Sequence, residues 1–98
     1  MLNLNIVLKG EIMKYIIIAF KSRNNVMSFL KLLRINGIVA NVINTPRTTS
    51  ISCGLSIKTD YRNLNNVSRI LSQTTIDGFL GVYLVTRNGM HEQTQRLF

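Results

Sequence analysis

The sequence predicts an α+β domain in which two helices cover one face of a four-stranded antiparallel sheet. The first observation is a continuous isoleucine-rich run from Tyr15 to Phe20, which is typical of a central strand buried on both faces. The second is a pair of segments with apolar residues at helical spacing, one after Ser22 and one after Asp60. The third is a set of short apolar runs punctuated by glycine, proline and asparagine, which predict further strands and turns.

The first half of the chain predicts a strand, a helix and a second strand. Ser22 follows the Tyr15–Phe20 strand and is a typical N-cap for a helix that continues to about Asn36. Gly37 ends this helix, and residues 38–43 predict the second strand. Four residues form the apolar stripe of the helix: Val26, Phe29, Leu30 and Leu33.

A loop and a third strand come next. Pro46 and a run of small hydroxylated residues mark residues 44–52 as the loop. The alternation from Gly54 to Thr59 predicts the third strand, and Asp60 can cap the second helix. The apolar face of that helix consists of Leu64, Val67, Ile70 and Leu71.

The last part of the chain predicts a fourth strand over residues 79–86, which Asn88-Gly89 ends. With right-handed crossovers, the order strand, helix, strand, strand, helix, strand gives the ferredoxin-like βαββαβ arrangement. In this arrangement the loop between the second and third strands lies at the end of the sheet where the first helix begins. Many unrelated functions occur on this fold, so the fold alone does not predict the function.

The length of 98 residues suits one domain. Residues 1–13 are predicted to be a leader, either non-native or disordered, with Met13 as the natural start. Residues 14–87 are predicted to be the folded domain, and 88–98 a flexible tail that is polar and frayed. His91 lies in this tail and is not expected to act as a base for the cysteine.

Composition narrows the possible partners and the compartment. The net charge of +8 comes from scattered basic residues and few acids, so an acidic protein or a small anion is expected rather than nucleic acid. No apolar run approaches the ~20 residues of a membrane-spanning helix. One cysteine and one histidine cannot supply the ligands of a zinc site, and no metal or cofactor is predicted. A single cysteine also fits the reducing cytosol, which predicts a cytoplasmic protein.

Cys53 is the residue best suited to carry chemistry. It lies beside Ser52 and Gly54 in a loop that also holds Arg47, a polar and cationic setting of the kind that reactive thiols occupy. The predicted topology places it near Lys21 and the start of the first helix, where anions are stabilised. Two interpretations stay open: a reactive thiol, or a small apolar residue packed at the start of a strand.

The residues around Cys53 are predicted to bind a substrate or anion and to shape the loop. Arg47 can clamp an anion through its planar guanidinium or be a solvated surface residue. Ser50 and Ser52 can donate to a bound anion or bond amides of their own loop. Gly54 is expected to allow either an unusual backbone angle or a close approach beside the thiol. The anion-binding candidates are Lys21, Ser22, Arg47, Ser50, Ser52 and Gly54, and the loop-shaping candidates are Thr45 and Pro46.

The segment Thr45-Pro46-Arg47, followed by Ser50-Ile51-Ser52-Cys53-Gly54-Leu55, resembles the motif of the selenium/sulfur carrier-like family of small bacterial proteins. The resemblance covers residues 14–85. It implies a cytoplasmic carrier that holds sulfur or selenium on Cys53 and is an accessory protein more than a free-standing enzyme. It also implies a donor protein, such as a cysteine desulfurase, and an acceptor protein.

Two other functions remain as alternatives. One is a non-covalent regulatory module that binds an anion or another ligand through Arg47 and the N-terminus of the first helix. The other is RNA binding across the sheet, which the sequence disfavours because Tyr15, Phe20 and Tyr83 do not form a clear paired aromatic motif.

Overall fold

The computed structural model describes residues 12–46, 49 and 54–98. Within these residues, one antiparallel sheet of five strands carries two helices. The strands are β1 (Ile12–Phe20), β2 (Ala40–Asn44), β3 (Leu55–Asp60), β4 (Phe79–Asn88) and β5 (His91–Arg96). The helices are α1 (Arg23–Ile35) and α2 (Leu64–Gln73), and a short 3-10 helix (Tyr61–Asn63) leads into α2.

The prediction of a four-stranded, ferredoxin-like βαββαβ sheet is wrong, because the sheet has five strands in the order β2-β3-β1-β4-β5. Residues 91–96, which were predicted to fray, form β5 and pair with β4 from Asn88↔His91 to Tyr83↔Arg96. Gly89 and Met90 make a two-residue turn, and Gly89 has a φ of +65°, which glycine adopts at little cost. A hairpin therefore extends the sheet by one polar edge strand.

β1 is the central strand, as its isoleucine-rich run predicts. It pairs with β3 on one side and β4 on the other, and every residue from Ile16 to Phe20 is fully buried. Because side chains alternate along a strand, β1 contributes to both faces of the sheet. Ile16, Ile18 and Phe20 pack with the helices, whereas Ile17 and Ala19 pack with Tyr83 and Val85 on the other face.

Both helices bury the apolar faces that the sequence predicts. In α1, the predicted stripe of Val26, Phe29, Leu30 and Leu33 is buried. In α2, Val67 and Ile70 are buried, and Leu64 and Leu71 pack against the same core. The Phe20 and Phe29 rings are 5.2 Å apart between centroids, so β1 and α1 meet through an aromatic pair.

The predicted leader, residues 1–13, lies outside the described residues except for Ile12 and Met13, which belong to β1. Among the described residues, no helix has the length and apolar character needed to cross a membrane.

Candidate functional site

Hydrogen bonds join the two ends of the 44–54 loop at its base, where β2 meets β3. The last β2–β3 pair is Asn44↔Leu55, and the Thr45 amide donates to the Gly54 carbonyl over 3.0 Å. The Thr45 and Ser56 hydroxyl oxygens lie 2.7 Å apart, and Ser56 is fully buried. Two successive cross-strand contacts therefore fix the ends between which residues 46–53 run.

Thr49 anchors a second point of this loop. Its backbone N–H donates to the Pro46 carbonyl over 3.2 Å, and its hydroxyl donates to the same oxygen over 2.8 Å. Thr49 is only 4% exposed, so it packs inward although it belongs to a loop. Both hydrogen bonds tie Thr49 to the Pro46 carbonyl, and the loop-shaping role of Pro46 stays a prediction.

The register of the sheet places this loop base at the end where α1 begins. Ala19 of β1 lies opposite Ser56 of β3, and α1 starts four residues after Ala19, at Arg23. Ser22 caps α1, because its hydroxyl oxygen accepts from the Asn25 amide over 3.3 Å. An N-terminal helix end carries partial positive charge, so this end of the sheet favours anions.

The backbone around Lys21 is held by the segment before β4. The Lys21 amide donates to the Gly78 carbonyl over 2.6 Å, and the Ser22 hydroxyl donates to Asn25 Oδ1 over 2.6 Å. The Lys21 side chain is exposed and leaves a cation at this end of the sheet. Of the predicted anion-binding residues, Lys21 is thus available to an anion from solvent, whereas the Ser22 hydroxyl is engaged in capping.

Four of the predicted site residues lie outside the described residues: Arg47, Ser50, Ser52 and Cys53. Gly54, which follows Cys53, is exposed, and its φ is not in the left-handed region that favours glycine. The φ of Gly54 therefore does not require glycine, and a close approach beside the thiol stays a prediction. Among the described residues, no atom lies within 4 Å of a Cβ built on Gly54.

His91 belongs to the opposite end of the sheet. It pairs with Asn88, which in turn lies opposite Ile12 at the start of β1. Ala19 lies seven residues after Ile12, so the two ends of the sheet are separated by about 23 Å along β1, at ~3.3 Å per residue. His91 is thus remote from Gly54 and Ser56.

A polar cluster at that opposite end was not predicted from the sequence. The Lys58 ammonium lies 4.3 Å from the centroid of the Tyr15 ring, and the Tyr15 hydroxyl donates to Glu92 Oε2 over 3.3 Å. Burial, followed by the nearby Glu92 carboxylate, raises the pKa of Tyr15 above its ordinary 10.0. Only the strand register aligns these residues, which are far apart in sequence.

The chain matches the model of one protein family, described as "Putative Se/S carrier protein-like", over residues 14–81. The match covers more than half of the chain and includes the whole Thr45–Leu55 motif. No curated protein and no solved structure gives a significant match. The family match confirms the resemblance seen in the sequence, and the chain belongs to the Se/S carrier protein-like family.

Proposed function

We propose that this protein carries sulfur or selenium on Cys53 in the cytoplasm, taking it from a donor protein and giving it to an acceptor protein. The observation that carries the proposal is the family match, which extends over residues 14–81 and so includes the only cysteine of the chain. Membership of a carrier family implies interaction with other proteins, since a carrier must be both loaded and unloaded.

The transfer needs no oxidant or reductant. The Cys53 thiolate attacks the terminal sulfur of a persulfide on the donor, and a new S–S bond forms on Cys53. The donor's own S–S bond breaks, and its cysteine leaves as a thiolate with the electron pair. An acceptor nucleophile then takes the terminal sulfur by the same exchange and releases the Cys53 thiolate. Selenium follows the same steps with an S–Se bond.

The setting of the loop supports this chemistry. A thiolate and a persulfide are both anions, and the end of the sheet that holds Gly54 also holds the start of α1 and the exposed Lys21. Positive charge of this kind stabilises thiolates. The chain has one cysteine, so no second thiol of the same chain can attack the loaded persulfide and discharge it as an internal disulfide.

The hydrogen bonds at the loop base support presentation of the cargo. Thr45 and Ser56 join β2 to β3 directly below the loop, and Thr49 closes a turn onto Pro46. A loop whose two ends are fixed by hydrogen bonds can present its cysteine to two successive partners in the same orientation. The protein acts in this scheme as an accessory component more than as a free-standing enzyme.

Sulfur transfer from radiolabelled cysteine tests the proposal. With a bacterial cysteine desulfurase present, label is expected to become bound to the protein and to be released by dithiothreitol. The Cys53→Ser variant is the matched control and is expected to take up no label. Equal labelling of the wild type and Cys53→Ser would show that the label resides elsewhere and would overturn the proposal.

The alternative, non-covalent anion binding through Arg47 and the start of α1, predicts the reverse pattern. Arg47→Ala would abolish stabilisation of the protein by inorganic sulfate, and Cys53→Ser would leave it intact. At the start of α1, the Asn25 amide already donates to the Ser22 hydroxyl and is not free for an anion. The family match favours the carrier function of the two.

A further inference from the structure

A groove of about 810 Å³ lies at the end of β3 that is remote from the loop. Its walls come from the start of β1, the segment that leads into β2, and the last residues of β3. The lining includes the half-buried Tyr15 and the Lys58 ammonium above it. Neither the family motif nor the proposed carrier chemistry accounts for this groove.

The described residues that line the groove have a net positive charge, because Asp60 is the only acid among them. Arg62 neutralises Asp60 in a two-pronged ion pair, with Nε 3.1 Å from Oδ1 and Nη2 3.2 Å from Oδ2. The same pairing lowers the pKa of Asp60 below 3.8. Lys14 and Lys58 remain without a carboxylate partner among the lining residues and supply the charge for an anionic ligand.

Both lysines are positioned by aromatic rings. Lys58 Nζ lies 4.3 Å from the centroid of the Tyr15 ring, and Lys14 Nζ lies 5.6 Å from that of Tyr61. Such cation–π contacts favour one arrangement of a flexible side chain without neutralising its charge. The Lys58 ammonium is thus held over a ring that lines the groove, Lys14 also belongs to the lining, and both ammonium groups keep their charge.

The walls also expose large apolar side chains beside these cations. Val39 is 80% exposed and Met13 is 53% exposed, and both line the groove. Exposed aliphatic groups next to fixed cations complement a protein segment that combines acidic and apolar residues. They suit nucleic acid less well, because RNA is bound chiefly by phosphate contacts and by stacking on aromatic rings.

We propose that this groove docks an acidic segment of the protein that donates sulfur or selenium to Cys53. Carboxylates of the segment bind Lys14 and Lys58, and an apolar side chain packs against Val39 and Met13. The inference rests on the proposed carrier function, because it assigns the groove to the partner that loads the cysteine.

The spacing suits docking at one end and transfer at the other. β3 starts just after Gly54 and leads to the groove, and Lys58 lies four residues beyond Gly54, about 13 Å away at ~3.3 Å per residue. An interface of ordinary size buries about 800 Å² per partner and is therefore roughly 28 Å across. One partner can thus occupy the groove and still reach the loop.

The test measures the rate of persulfide transfer to Cys53 against the concentration of a persulfidated bacterial cysteine desulfurase. The double variant Lys14→Gln/Lys58→Gln is expected to raise the KM for this donor about tenfold and to leave the rate at saturation unchanged. The control is Lys31→Gln/Arg69→Gln, which removes the same charge from exposed positions on α1 and α2 and is expected to have little effect. Val39→Asp adds a carboxylate to the groove wall and is expected to weaken docking as well.

A second arm loads Cys53 from inorganic polysulfide, which needs no docking. All variants are expected to load equally in this arm, which shows that the thiol itself is unaffected. An equal rise in KM for the groove and control variants would overturn the proposal, because net charge alone would then explain it. Strong binding of a labelled oligouridylate that the groove variant alone loses, with donor transfer unchanged, would assign the groove to RNA and also overturn it.

The experiments can disprove the carrier function and the docking role of the groove independently of each other. If neither donor forms a persulfide on Cys53, the carrier function is wrong, and the groove is judged by titrating the labelled chain with the desulfurase. A Kd that rises in Lys14→Gln/Lys58→Gln but not in the control still supports docking. An unchanged Kd in both overturns it.

Discussion

The hydroxyl oxygens of Thr45 and Ser56 lie 2.7 Å apart at the base of the loop that contains Cys53, and Ser56 is fully buried. Thr45→Val keeps the shape of the side chain but leaves the buried Ser56 hydroxyl without this partner. We expect the free energy of unfolding to fall by about 1–3 kcal/mol, as is usual for an unsatisfied buried group. Urea denaturation measures the change.

The control for this variant is Thr75→Val, which makes the same chemical change at an exposed position and is expected to cost little. The double variant Thr45→Val/Ser56→Ala removes both partners and is expected to be less destabilised than Thr45→Val alone. A Thr45→Val protein that unfolds at the wild-type urea concentration would show that this hydrogen bond does not hold the loop base.

Replacement of Gly78 by alanine is expected to destabilise the protein more than the same change at Gly89, which also has a positive φ. The φ of Gly78 is +78°, and an added Cβ would lie 2.5 Å from Asn25 Oδ1 and 3.1 Å from Lys21 Cβ. Gly78→Ala therefore forces a shift at the cap of α1, in addition to backbone strain of about 1–2 kcal/mol. Urea denaturation is expected to show a larger loss of stability than that from strain alone.

Gly89→Ala is the matched comparison for Gly78→Ala. Gly89 has a φ of +65°, and no atom of the described residues lies within 4 Å of the added Cβ, so backbone strain is the expected cost. Equal losses of stability in the two variants would contradict the close approach of Gly78 to the start of α1.

Tyr15 is expected to make the protein sensitive to alkaline pH. Its folded-state pKa is raised above 10.0 by burial and by Glu92, so the folded state holds the phenolic proton more tightly than the unfolded state. The stabilisation is complete below pH 10.0 and is lost as the pH rises through the higher folded-state pKa. Denaturation at a series of pH values is expected to show Tyr15→Phe losing less stability than the wild type across this range.

Ultraviolet absorbance provides an independent check on Tyr15. Tyr15 of the folded wild type is expected to ionise above pH 10.0, and this step is expected to be missing from Tyr15→Phe. Glu92→Gln removes the neighbouring charge and is expected to lower the midpoint of that step. A midpoint that does not change in Glu92→Gln would contradict the role of the carboxylate.

The elements with a strong apolar pattern could be predicted from sequence. The apolar stripe of α1 follows from helical spacing, because one face of the helix is buried. The central position of β1 follows from its continuous apolar run, because both faces of the strand are buried. The helix start at Ser22 could also be predicted, since the capping hydroxyl has a specific local role.

β5 could not be predicted from its apolar pattern. The strand His91–Arg96 contains no apolar residue and is held by backbone pairing with β4, a contribution that leaves no hydrophobic alternation to detect. The sequence predicts that Asn88-Gly89 ends β4, but a glycine at the first position of a two-residue turn is also typical of a hairpin, and Gly89 occupies that position. The Tyr15–Lys58–Glu92 cluster was missed because it depends on the pairing of β1 with β3 and of β4 with β5.

The candidate site was predictable in part. The motif from Thr45 to Leu55 identified the family, and the family match includes that motif. The hydrogen bond between the Thr45 and Ser56 hydroxyls and the inward packing of Thr49 depend on the folded loop base and have no signature in a single sequence. The roles of Arg47, Ser50 and Ser52 remain predictions.

The central claim is that Cys53 carries the cargo, and intact-protein mass spectrometry tests it most directly. After incubation with a bacterial cysteine desulfurase and cysteine, the wild type is expected to gain about 32 Da, the mass of one sulfur atom, and to lose it on reduction. Cys53→Ser is expected to keep its original mass. A wild-type protein that gains no mass, while the desulfurase is shown to be turning over, would contradict the claim.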